Sequence, residues 1–137
     1  MNKIDFLSNW QKNLTVGLGE VILTEKTSKD EVTSMLIMST NQFDNIINFH
    51  FENFRKLTET SLIYKYFDRD YIGENENWAV DVEMKIESVS EFVSHLEMID
   101  ENYELLDLVG KEYITTIEFC KKILNNDAQL YFKADNY

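Results

Sequence analysis

The chain holds one cysteine and two histidines, so side chains suited to nucleophilic or transition-metal chemistry are few. His50 and His95 belong to no His-Glu-x-x-His pair, and Cys120 has no Cys or His near it in sequence. A metal centre would have to be assembled from distant residues. A triad of Cys120, a histidine and an acid needs only adjacency in space. Yet Cys120 shares an apolar helical face with Ile117 and Leu124, and burial as a small hydrophobe is the plainer reading. His95 follows Glu91 by four residues, the spacing of an exposed surface pair on a helix.

Two motifs fail where their chemistry is most demanding. Gly17 and Gly19 suggest a phosphate loop, but Ile22 stands where a dinucleotide fingerprint needs a third glycine, and no Gly-Lys-Ser/Thr ending follows. Glycines in a strand or at a bulge account for the pair. Asp68-Arg-Asp-Tyr-Ile-Gly73 resembles the start of a calcium loop, with acids first and third and glycine sixth. Ile72 and Ala79 then occupy ligand positions, Ala79 where a bidentate glutamate is needed, so a solvated loop is expected. No metal and no cofactor is implied.

Carboxylates are the abundant chemical group. There are 25 acidic residues against 13 basic ones, for a net charge of −12. Residues 1–68 carry a net of −2 and residues 69–137 a net of −10. Between Asp70 and Asp107, twelve acids (Asp70, Glu74, Glu76, Asp81, Glu83, Glu87, Glu91, Glu97, Asp100, Glu101, Glu104 and Asp107) face Lys85 alone. General acid–base or glycosidase work needs two carboxylates in contrasting environments within a cleft. Asp81 and Glu83 instead share the polar side of one strand with Lys85 and Glu87, where solvation keeps all of them charged. Trp78, Val80, Val82, Phe92, Val93, Leu96 and Ile99 are interleaved with the charges, so this is a folding segment and not an acidic tail.

The elements that position this segment follow from periodicity. Trp78, Val80, Val82, Met84 and Ile86 alternate with polar residues over 78–87 and predict the best strand in the chain. Ser88-Val-Ser-Glu91 reads as a capping box, and Phe92, Val93, Leu96 and Ile99 predict a helix over about 89–100. Ile4, Leu7, Trp10 and Leu14 suggest an N-terminal helix. Segments 15–24 and 31–40 read as a hairpin around the polar stretch 25–30, with a helix starting at Ser28 as the competing reading. Phe43, Ile46, Ile47, Phe54 and Leu57 favour a helix capped by Asn41, although Ile47, Phe49 and Phe51 alternate as a strand would. A strand at 61–67, a polar loop at 68–77, a break at Gly110, a last helix with Tyr113, Ile117, Cys120 and Leu124 on one face, and a short strand at 130–132 complete the reading. Helices and strands do not alternate as βαβ units, so the expected class is α+β: one domain over 1–137, with a largely antiparallel sheet and about four helices.

Length and composition bound the function. The chain of 137 residues is 44% hydrophobic, enough for a core without staples. Nothing in it reads as a membrane span or a secretory leader, and a single cysteine suits a reducing, cytoplasmic setting. The negative charge repels phosphate backbones and anionic membranes. Carboxylates crowded into one window repel one another until a cationic surface docks, and aromatic neighbours (Tyr64, Tyr66, Tyr71, Trp78 and Tyr103) could anchor it. The expectation is a small acidic binding protein, not an enzyme. It would occlude the basic active-site face of a nuclease-type toxin, as bacterial immunity proteins do for their cognate toxins. A nucleic-acid mimic that blocks a DNA-binding or restriction system, a small hydrolase or metal-dependent enzyme, and a merely solvated face are the alternatives. The expected partner-binding residues are Asp70, Tyr71, Glu74, Glu76, Trp78, Asp81, Glu83, Glu87, Glu91, Glu97, Asp100, Glu101, Tyr103 and Glu104.

Overall fold

A computed structural model describes residues 1–7, 19–72, 83–102 and 106–135, with the backbone alone at 69–72, 100–102, 106–109 and 135. Apolar residues at every second position build the sheet. In register across all five strands, Ile4, Leu36, Leu23, Phe132 and Met84 form one row on the covered face. The next row, Lys3, Met35, Thr24, Tyr131 and Lys85, points the other way because side chains alternate along a strand. The strands are β1 (Asn2–Asp5), β2 (Glu20–Lys26), β3 (Val32–Ser39), β4 (Met84–Lys85) and β5 (Gln129–Asp135), in spatial order β1-β3-β2-β5-β4. Only β1 against β3 is parallel. The fold is α+β with one mostly antiparallel sheet, as expected.

Among the described residues, four α-helices accompany the sheet: α1 (Thr40–Ile47), α2 (Leu62–Ile72), α3 (Val89–Asn102) and α4 (Leu106–Asn125). Ser39, not Asn41, caps α1: its hydroxyl accepts from the Gln42 amide at 3.0 Å, and the Gln42 side chain accepts from the Ser39 amide at 2.8 Å. Phe43, Ile46 and Ile47 then point into the core. This helix is shorter than expected, because short 3₁₀ turns at Asn48–His50 and Phe54–Lys56 follow it. Phe43 is fully buried, with its ring 5.0 Å from Tyr66 and 5.2 Å from Phe132, and it joins α1, α2 and β5.

The hairpin of β2 and β3 forms and the alternative helix from Ser28 does not, but β2 runs on through Glu25 and Lys26, which the sequence places in the loop, and 15–18 lie outside the described residues. The hairpin turn is held by Thr27, whose hydroxyl accepts from the amides of Lys29 and Glu31, and by Asp30 in the left-handed region at φ 61°. Residues 84–86 keep the expected alternation, with Ile86 buried and Lys85 exposed, while 78–82 lie outside the described residues. Helix α3 starts where the capping signal places it, with the Ser88 hydroxyl accepting from the Glu91 amide at 3.1 Å. Strand β5 forms and runs longer than 130–132.

Four expectations are corrected. Residues 2–5 are a strand, not the start of a helix, because the β3 backbone offers them a parallel ladder and Ile4 a place beside Leu36. The helical spacing through Trp10 and Leu14 lies outside the described residues. Residues 62–72 form a helix, not a strand and loop. Leu62, Ile63, Tyr66 and Phe67 are buried at three- and four-residue spacing, so packing overrides their β-propensity. Asp68, the first position of the apparent calcium loop, is therefore helical and pairs with Arg55 at 3.3 Å. Gly110 does not break the chain, since α4 runs through it. Finally, the buried stripe of α4 is Tyr113, Thr116, Phe119, Cys120 and Ile123, and Leu124 is exposed. The helix ends with Asp127 at φ 52°, where the Ala128 amide donates to the Ile123 carbonyl and that of Asp127 to Leu124. This left-handed cap turns the chain back into β5.

Candidate functional site

The acidic window begins on the strand-to-helix passage and continues along α3. Glu83 and Glu87 flank β4 and are exposed, Glu91 stands in the first turn of α3, and Glu97 lies on its outer face. These four do not have equal freedom. Glu83 is ion-paired with Lys26 from β2, and the Lys26 ammonium also lies 4.3 Å over the Tyr131 ring. The bond to Glu83 raises the Lys26 pKa above its ordinary value. Glu97 meets Lys121 of α4 at 3.6 Å with both side chains about half exposed, a contact worth little in water. Glu87 stays exposed beside the passage into α3.

Asp70 and Tyr71 fall in the last turns of α2, and Asp100 and Glu101 in the last turn of α3. Glu74, Glu76, Trp78, Asp81, Tyr103 and Glu104 lie outside the described residues. One expected anchor is corrected: Tyr66 is 1% exposed, and its hydroxyl donates to Asp44 Oδ1 at 2.5 Å, so it belongs to the core. Tyr64 is half-buried against Phe54, ring centres 5.6 Å apart.

The chemistry-bearing residues occupy other places. Cys120 is fully buried, and burial pushes its thiol far above the ordinary range, which suits packing and opposes nucleophilic use. His95 is not on the surface with Glu91. It is buried against His50, ring centres 5.7 Å apart, and His50 Nε2 donates to the His95 carbonyl at 2.8 Å. Burial lowers both imidazole pKa values. No three His, Cys, Asp or Glu side chains among the described residues form a cluster suited to a metal.

A further polar centre was not anticipated from the sequence. Glu25 sits on the covered face of the sheet, in register with Ser34 and Leu130, and is 4% exposed. Its Oε1 accepts from Ser34 Oγ at 2.5 Å and from Thr33 Oγ1 at 2.7 Å. A register shift between Glu25 and Lys26 brings both hydroxyls to one oxygen. Burial acts to raise the carboxyl pKa, but these hydrogen bonds, with the Asn126 amide and the Lys122 charge, leave it lowered. The signal was the phase of β2: Val21, Leu23 and Glu25 share one parity, and ending the strand at Thr24 concealed it.

No protein-family model, no curated protein and no solved structure matches this chain. No helix among the described residues is long and apolar enough to cross a membrane.

Proposed function

We propose that this chain is a small acidic binding protein that neutralises a basic, nuclease-type toxin by electrostatic occlusion of its active site, in the manner of an immunity protein. The observation that carries the reading is the charge pattern: twelve carboxylates and one lysine between Asp70 and Asp107. Such a field accelerates capture of a cationic partner and weakens with salt. The exposed positions of Glu97 on α3 and of Glu87 at its entry support it. Lys26 already holds Glu83, so Glu83 is expected to contribute less to capture than Glu87.

The test begins with the product of the reading frame immediately upstream. Its cleavage of nucleic acid is measured alone and with this chain at equal concentration, at low and at high salt. Stoichiometric loss of cleavage supports the proposal. So does a fall in association rate of about tenfold or more in the Asp81→Lys, Glu87→Lys double variant. An upstream metabolic enzyme, uninhibited cleavage, or a salt-independent interaction overturns it.

A further inference from the structure

A carboxylate on the covered face of a sheet is costly unless something compensates its burial. Glu25 lines a recess of about 180 Å³ between the β1–β3–β2 edge of the sheet and helix α4. Ile4 and Phe119 form apolar walls, while Thr115 and Glu118 from α4 also line it, with Lys122. The two carboxylates outnumber the one ammonium, so the recess favours a positive ligand.

The two oxygens of Glu25 are unequal. Oε1 is taken by the Ser34 and Thr33 hydroxyls. Oε2 meets the Asn126 side-chain amide at 3.5 Å, the far limit of a hydrogen bond, and accepts no other hydrogen bond among the described residues, with the Lys122 charge acting on the carboxylate from farther away. A guanidinium fork needs both oxygens of a carboxylate, whereas an ammonium is a point donor satisfied by one. We propose that this recess binds a small primary amine, its ammonium on Glu25 Oε2 and its short alkyl chain against Ile4 and Phe119. Three observations meet in this assignment: a walled cavity, a buried carboxylate with one under-used oxygen, and an apolar lining beside it. It is independent of the acidic window and of the partner proposed for that surface.

The probe is n-butylamine as its hydrochloride, titrated into the full chain and followed by backbone amide shifts, with 1-butanol as the neutral isostere. Saturable shifts at Glu25, Ser34, Thr115 and Phe119 are expected for the amine. Binding of the alcohol should be weaker by about tenfold, the factor that a charge-assisted hydrogen bond supplies. The Glu25→Gln variant should lose amine affinity by about the same factor while keeping its weak response to the alcohol. Equal response to amine and alcohol, or absence of a saturable shift at Glu25, overturns the proposal. Undiminished amine binding by a folded Glu25→Gln chain also overturns it. The comparison of amine with alcohol requires only the unsubstituted protein, so it decides the matter even if the variant does not fold.

Discussion

The imidazole of His50 and the backbone carbonyl of His95 meet at 2.8 Å, which fixes His50 as the Nε2–H tautomer and ties the turn after α1 to the middle of α3. His95 Nδ1 is buried and meets no hydrogen-bond partner among the described residues. Burial is the main cause lowering both pKa values, His50 lowers His95 further, and Glu91 acts against that. Each ring therefore protonates more readily in the unfolded chain. The stabilisation is complete above the ordinary value of 6.5 and is lost as pH falls through it toward the lowered folded values. Denaturant midpoints should hold steady down to about pH 7 and then drop by about pH 5, a slope that His50→Gln should flatten. Equal midpoints at both ends would sink the idea.

Gly110 offers a sharp test of the path of α4. The helix runs through it, and an added Cβ meets nothing within 4 Å. Gly110→Ala should raise stability by about 0.5–1 kcal/mol, the helix-propensity difference between the two residues. A break at this position would give no gain, and thermal unfolding distinguishes the two.

Tyr66 and Phe43 separate polar from apolar contributions in one cluster. Tyr66→Phe removes the hydroxyl bonded to Asp44 and should cost about 1–2 kcal/mol in urea unfolding. Phe43→Ala removes the ring that touches both Tyr66 and Phe132 and should cost about 3–5 kcal/mol. If the first substitution proved the more damaging, the apolar account of this centre would fail.

Cys120 should resist iodoacetamide in the native protein and react readily in denaturant, because its sulfur is fully buried and its thiol is held protonated. Mass spectrometry of the alkylated fraction reads this directly. Rapid native alkylation would show an exposed thiolate and reopen the nucleophile reading.

The sequence was most legible where one period ran without competition. The start of α3 at Ser88 could be read because its capping signal had a single outcome, and the β2–β3 hairpin could be read from its β-branched segments although a capping signal at Ser28 competed with it. At 62–67 the same residue types suit either period, and the choice depends on Phe43 and Phe132, which are remote in the chain. β1 was missed because a parallel ladder is specified by its partner strand more than by its own four residues. For the candidate surface, charge density was readable but pairing was not: nothing near Glu83 in sequence announces Lys26. The histidine pair and the Glu25 recess are likewise products of tertiary contact.

The sheet order has a consequence for synthesis. β5 lies between β2 and β4 and hydrogen-bonds to both, although 102 residues separate Lys26 from Gln129. Until the ribosome has delivered Gln129–Asp135, β2 presents an open edge and Met84–Lys85 has no ladder to join among the described residues. The nascent chain must therefore wait, its apolar β2 edge available to any neighbouring strand, and its last described strand acts as the keystone that ends the aggregation-prone interval.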